Sequence, residues 1–278
     1  MVRSTIILSM LVLLIISTPA RPQTAEMEAL QKGINFIPTQ VYSAEEDAAL
    51  LKLYEDLRVA DVSDGMDMAG LTNTGLVDPA IHADWLDPNS LRHVFRGIAV
   101  TARYVPTQRP GRPQPGQDFA AWEGNFYNTY SSGVYSQLIR PGTALVIDDV
   151  EDKDIGSIGS NNILSWVKNG AVGVVTDAGA RDTDEIAMEH VPLYLRKKGR
   201  GIRPGRNELE SVNRPVVIGG VLVCPGDVVV ADGDGVIVVP RKVARQVAGY
   251  ARTILEKDKE GRRNLYKSLG MPLDQTVK

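Results

Sequence analysis

Arg181 and Asp182 stand side by side in the run Thr176-Asp177-Ala178-Gly179-Ala180-Arg181-Asp182-Thr183-Asp184-Glu185, directly after an apolar stretch that reads as a buried strand. In open α/β sheets, ligands gather at the carboxyl ends of strands. The planar guanidinium of Arg181 can fork onto a carboxylate or an enolate oxygen. Asp182 offers hard oxygen ligands, and a magnesium ion keeps several waters and needs only one or two protein carboxylates. The small residues at 178–180 let another backbone come close. The same residues equally fit a purely structural account, in which Asp182 caps a helix near Glu185 and Arg181 lies on the surface.

Upstream, Gly156-Ser157-Ile158-Gly159-Ser160-Asn161-Asn162 leads into a helix expected at about 161–169, which Gly170 stops before a strand at 171–176. A turn feeding a helix N-terminus presents unpaired N–H groups and the positive end of the helix dipole, which suits a carboxylate or phosphate. Its glycine spacing is not Gly-x-Gly-x-x-Gly, and it lacks the Lys-Ser/Thr of a P-loop, which argues against nucleotide binding.

Other reactive residue types form no comparable pattern. His82, His93 and His190 are scattered without metal-ligand spacing, which disfavours histidine-rich zinc chemistry. Cys224 is the only cysteine, so no intramolecular disulfide can form, and it reads as a small buried hydrophobe in a strand. The acidic run Asp148, Asp149, Glu151, Asp152 and Asp154 reads as a solvated loop. So does the basic run from Arg196 to Arg206, whose alternative role is to attract an anion or a neighbouring subunit. Asp232-Gly233-Asp234-Gly235 resembles a calcium loop in its letters, but it lies between strands and lacks the closing Glu, so a hairpin turn is expected.

The elements that must position these residues follow from periodicity and caps. Ser43 and Glu46 make a capping box, and Leu50, Leu53, Tyr54 and Leu57 share a face, which predicts a helix over 44–58. A second short helix runs on to Met68. A strand is expected at 97–105, an exposed Pro/Gly-rich loop at 106–116, a mainly helical stretch at 118–139 and a buried strand at 144–147. Three strand-like runs at 215–223, 227–231 and 235–239 precede a helix from about 241, in which Val243, Val247, Tyr250, Ala251 and Ile254 share a face. The charged end of that helix, 256–260, is expected over the surface or against another subunit.

Across the whole chain, 278 residues with 43% hydrophobic and 23% charged side chains suit one globular α/β domain with extensions. A net charge of -3 supplies no basic surplus for phosphate contacts, so nucleic acid is not an expected partner. Arg3, the apolar run 6–16 and Ser17-Thr18-Pro19-Ala20 have the layout of a signal peptide at 1–20. That run is too short to span a bilayer, so export to the periplasm or medium, with no stable membrane anchor after cleavage, is expected. The remaining divisions are an arm or linker at 21–42, an α/β domain at 43–240, and a C-terminal helix and tail at 241–278.

The run 172–182, with Gly159-Ser160-Asn161-Asn162, Val167-Lys168-Asn169-Gly170, Val62-Ser63-Asp64, the stretch 219–232 and Gly235-Val236-Ile237-Val238-Val239-Pro240, resembles the RraA-like family over roughly 45–275. That family includes 4-hydroxy-4-methyl-2-oxoglutarate and 4-carboxy-4-hydroxy-2-oxoadipate aldolases. The resemblance implies a compact swivelling-type β/β/α fold, a homotrimer or homohexamer with sites between subunits, and class II pyruvate-aldolase chemistry with Mg2+ or Mn2+. Carried over, Arg181 binds substrate oxygen, Asp182 binds the metal, and the backbone of Gly159, Ser160, Asn161 and Asn162 holds the carboxylate of a small 2-oxo acid. An acidic residue from a neighbouring C-terminal helix assists, for which Glu256 and Glu260 are the candidates.

In one position the chain departs from that pattern. The aldolases carry Asp where Ser160 stands, with twenty residues between it and the Arg-Asp pair. Loss of a carboxylate that supports a metal site commonly costs about 10- to 100-fold in affinity or activity. The expectation is a metal-dependent lyase with a variant site, possible substitutes for the lost charge being Asp177, Asp184 or the acidic loop. The alternatives are a non-catalytic RraA-like binding or regulatory protein, or a re-specialised sugar-acid lyase or isomerase.

Overall fold

A computed structural model describes residues 25–149 and 154–278, so the expected signal segment and Glu151 and Asp152 of the acidic run lie outside the described residues. The chain divides into a unit up to Pro38 and a unit from Thr39 onward. The first holds one short helix, α1 (Ala25–Lys32), where composition had indicated an arm or linker.

The second unit opens with α2 (Ala44–Leu51), started by the expected capping box: Ser43 Oγ accepts from Glu46 N at 3.1 Å, and Glu46 Oε2 accepts from Ser43 N at 2.7 Å. The helix does not run to 58. It tightens into a 3-10 turn at Lys52–Tyr54, and Asp56 adopts a left-handed φ of 63°. A new helix, α3 (Val59–Met68), then begins where Asp61 reaches back to the Arg58 N–H at 2.9 Å and to its guanidinium. That second start signal outcompetes continuation of the first helix.

The strands follow as β1 (His82–Ala83), β2 (Phe95–Pro106), β3 (Thr143–Asp148), β4 (Ala171–Ala180), β5 (Leu193–Lys198), β6 (Asn207–Val212), β7 (Val216–Ile218), β8 (Val221–Val223), β9 (Val228–Asp232) and β10 (Gly235–Val239). Between them lie α4 (Phe119–Thr129), α5 (Ser160–Lys168) and α6 (Thr183–Met188), and α7 (Ala244–Ser268) comes last. One sheet has the order β1-β5-β4-β3-β2-β9-β10, with β6 also on β2. Its ends approach through β1 and β10, which makes it a nearly closed barrel.

Strands β2 to β5 are parallel, and the central two, β3 and β4, are buried on both faces and read as mainly apolar runs. Strand β2 outgrows its neighbours because it serves two partners in succession, β9 at its start and β6 at its end, with a register shift between Arg103 and Tyr104. The run expected as a single strand at 215–223 is a hairpin, folded by Gly219 and Gly220 at positive φ. The Asp232-Gly235 turn joins β9 to β10 as the hairpin expected there.

Helices α2, α3 and α7 cover one end of the sheet through Leu50, Val62, Met66, Val247, Ala251 and Leu255. Helices α5 and α6 cover the β2–β5 face through Ile163, Trp166 and Ile186. The α3–α7 contact is close because Gly65 has no side chain: a Cβ there would lie 2.8 Å from the Val247 carbonyl oxygen and 3.3 Å from Ala251 Cβ. Gly65→Leu is therefore expected to cost about 1–3 kcal/mol by overpacking. Thermal denaturation should show Tm lowered by several degrees, whereas an unchanged Tm would mean the two helices are not in this contact.

Candidate active site

The site grows from the way residues 154–159 are laid between two other segments. On one edge, Ser157 N donates to Gly179 O at 2.9 Å and Arg181 N donates to Ile158 O at 2.8 Å. On the other, Gly156 N donates to Gly201 O at 2.8 Å and Gly201 N to Asp154 O at 3.0 Å. This pairing explains why β4 runs to Ala180 instead of stopping at 176. The approach demands glycine, since a Cβ on Gly179 would fall 2.4 Å from Ile155 O and one on Gly199 2.1 Å from the same oxygen.

Ile155 and Ile158 anchor the segment in the core, and Gly159 delivers the chain to the N-terminus of α5. Gly159 is the convergence point. A Cβ at this position would lie 2.8 Å from Asp182 Oδ2, 3.7 Å from Arg181 Nε and 3.8 Å from Asn162 Oδ1. Arg181 Nε and Asp182 Oδ2 are 3.9 Å apart, and each side chain is 40% exposed. Asp182 occupies the cap position of α6 in a left-handed conformation, φ 59°, and its side chain makes no capping bond. The plain capping account of the pair therefore fails. Oδ2 faces the start of α5 instead, 3.4 Å from Ser160 N.

Gly159, Ser160, Asn161, Asn162, Arg181 and Asp182 are thus brought together in one chain. Glu256 and Glu260 are exposed on α7 and lie apart from this group. The sequence reading missed Glu185, whose Oε2 accepts from Ser160 Oγ at 2.5 Å. Glu185 lies three residues after Asp182, a spacing that puts both at the start of one helix. Asp177 instead turns inward, accepting from Asp149 N at 3.1 Å.

Arg181 borders a cleft of about 450 Å3 together with Asn161, Asn162, Trp166, Ser131 and Arg203, while Asp182 lines a separate recess with Arg181, Lys198, Gly199 and Arg200. Here one member of each charged run, Asp149 and Arg203, departs from the solvated loop expected of it, while Asp154 and Arg200 are exposed. Asp149 is buried, accepts from the Asn207 amide at 2.5 Å and pairs with Arg203 at 3.4 Å. Arg203 is only 4% exposed, lies 3.5 Å over the Tyr104 ring, and donates from Nε to Ser157 O at 3.0 Å. Burial alone would lower its pKa, but Tyr104 and Asp149 raise it, so the group remains a cation. Arg196 and Lys198 pair with Asp78 and Asp84. Burial pushes the Cys224 thiol up, which leaves it a poor nucleophile at neutral pH.

Among the described residues no group of three or more His, Cys, Asp or Glu converges on a metal position. A fully protein-caged ion is therefore not what these residues suit. They do fit a hard, hydrated cation held by a single carboxylate, because Asp182 Oδ2 is uncommitted to its own helix and confined beside Gly159.

The model of the RraA-like family, described as Aldolase/RraA, matches residues 59–238, which contain this whole constellation. The chain belongs to the RraA-like family. Protein DlpA of Legionella pneumophila is 25% identical over 228 residues, 80% of this chain and 33% of its own length. A Halalkalibacterium halodurans protein provisionally named 4-hydroxy-4-methyl-2-oxoglutarate aldolase is 31% identical over 122 residues, 43% of this chain and 53% of its own length. The RraA-like chain therefore spans about a third to a half of these relatives. A crystal structure of an uncharacterised Pseudomonas syringae protein superposes with a TM-score of 0.62 at 26% identity, covering 87% of this chain and 100% of that one. The α/β fold expected from sequence is the fold found.

Gly159→Ala tests the convergence. The added methyl is expected to displace the Asp182 carboxylate and weaken Mn2+ binding by about 10-fold or more. Titration calorimetry on the folded variant checks this, and unaltered affinity would place the cation elsewhere.

Proposed function

We propose that this RraA-like protein is a divalent-metal-dependent lyase that cleaves a small 4-hydroxy-2-oxo acid to a pyruvate enolate, with oxaloacetate decarboxylation as a related activity. The observation that carries this reading is the uncapped Asp182 carboxylate set beside the Arg181 guanidinium at the start of α5. Asp182 would hold the Mg2+ or Mn2+, which supplies Lewis-acid polarisation of the 2-oxo group.

The chain's own residues do the rest. The first-turn N–H groups of α5, at Ser160, Asn161 and Asn162, receive the substrate carboxylate at the positive end of the helix dipole. Arg181 donates to the 2-oxo oxygen, where negative charge grows as the C3–C4 bond breaks, so its hydrogen bond strengthens toward the transition state. Loss of such a charge-assisted bond, about 1.5–3 kcal/mol, corresponds to roughly ten- to a hundredfold in rate. Glu185, bonded to Ser160 Oγ, returns a carboxylate to the neighbourhood where Ser160 itself offers none.

The base that takes the 4-hydroxyl proton is assigned to a neighbouring copy, with Glu256 and Glu260 as candidates in a homotrimer or homohexamer. Their exposure on α7 suits that role. Export after cleavage near Ala20 completes the proposal.

Pyruvate in heavy water supplies the test. With Mg2+ or Mn2+ the protein should exchange the methyl protons of pyruvate, seen as loss of the proton NMR signal. Asp182→Ala should abolish the exchange, and Arg181→Ala should slow it by about ten- to a hundredfold. A folded, assembled protein that exchanges nothing with either metal would contradict enolate chemistry.

A further inference from the structure

Helix α4, on the connection between β2 and β3, shows two working sides. Phe119, Trp122, Phe126 and Tyr130 follow one another as a ladder of rings with centroids 5.4, 5.9 and 5.4 Å apart, and the Arg109 guanidinium lies 3.6 Å over the last ring. This side ties the helix to the loop before it, and Phe126 is the one buried residue of the helix. The other side, at Glu123 and Tyr127, borders the cleft that Arg181, Asn161 and Asn162 also line. Residues four apart in a helix are neighbours on its surface, so both side chains meet the same space.

Glu123 is the only carboxylate among the described residues that line this cleft, and no His, Lys or Cys is among them. The arginines keep their protons throughout the neutral range. Burial pushes the phenols of Tyr104 and Tyr135 up, away from that range. Tyr127 interacts electrostatically with Arg203 and Tyr104. Glu123, by contrast, is half-buried and makes no hydrogen bond or ion pair with a described residue. Its carboxylate is uncommitted, and a carboxyl group held on a helix over a reaction cleft can accept and return a proton.

We propose that Glu123 is the group that exchanges a proton with C3 of the substrate. The proposal rests on the reading of Arg181 and the start of α5 as the site of the 2-oxo acid. With the acid's carboxylate at Asn161 and Asn162 and its 2-oxo oxygen at Arg181, C3 is the next atom along the chain and enters the space that Glu123 borders. When the C3–C4 bond breaks, its electron pair passes into the enolate. Protonated Glu123 then gives its proton to C3, the C2 carbonyl re-forms, and the carboxylate left behind regains a proton from solvent. In reverse, the Glu123 carboxylate takes a methyl proton from pyruvate. This proton is distinct from the 4-hydroxyl proton, which goes to another base.

Three measurements with Mg2+ or Mn2+ present test it: methyl-proton exchange of pyruvate in heavy water, pyruvate affinity by calorimetry, and oxaloacetate consumption by absorbance. Glu123→Gln keeps the shape and removes the proton carrier. It should slow exchange by about 100-fold or more, a magnitude usual for general acid–base groups, and leave pyruvate affinity nearly unchanged. Oxaloacetate consumption should fall far less, because carbon dioxide leaves before C3 takes its proton. Added formate should restore exchange to Glu123→Ala by standing in for the missing carboxyl group.

Exchange at the wild-type rate in folded Glu123→Gln would overturn the proposal and leave the lyase reading standing. Equal loss of exchange, affinity and oxaloacetate consumption, with no restoration by formate, would make Glu123 a structural support and overturn it as well. A folded wild type that neither exchanges pyruvate protons nor consumes oxaloacetate would remove the lyase reading and the proposal with it.

Discussion

The segment from Asp154 to Gly159 is hydrogen-bonded along both edges, to the end of β4 on one side and to residues around Gly201 on the other. Remove that double pairing and neither arginine of the cleft keeps its place. It fixes Gly159 at the mouth of α5, and the backbone pairing of Arg181 with Ile158 fixes where β4 must end. Asp182 then turns away through a left-handed residue, a conformation that costs an L-residue roughly 1–2 kcal/mol and that Asp tolerates better than most. The cost is borne by the surrounding pairings, and the result is a carboxylate aimed across the loop instead of along its own helix.

Beneath the same segment lies the Asp149–Arg203 pair. Both groups are removed from water, so the pair is not a simple source of stability. It is better understood as a positional device: Asn207 and Ser157 fasten it to β6 and to the loop, and the ring of Tyr104 supports the guanidinium face.

Local signals in the sequence were readable where the interaction itself is local. The Ser43–Glu46 box and the Asp232-Gly235 hairpin depend on neighbours within a few residues, and the central parallel strands show in the sequence as continuous apolar runs although their partners lie farther along the chain; each is found where expected. The helix begun at Ser43 was overextended because its apolar spacing continues past Tyr54, while Asp61 starts a competing helix. Two members of the charged runs depart from expectation for a different reason. Asp149 and Arg203 are 54 residues apart and look solvated until the fold joins them. Ser160 and Glu185, 25 residues apart, were equally out of reach of spacing arguments, though the Arg181-Asp182 pair and the turn before α5 were legible from residue chemistry alone.

The central claim is that Asp182 and Arg181 hold a cation and a 2-oxo acid within contact of each other. Paramagnetic broadening by Mn2+ measures that proximity directly, through the carbon-13 signals of the carboxylate and 2-oxo carbons of pyruvate. The wild type should broaden both strongly. Asp182→Asn should lose the effect by losing Mn2+, and Arg181→Gln should keep Mn2+ but weaken the pyruvate signal change. Broadening that persists undiminished in folded Asp182→Asn would contradict the account.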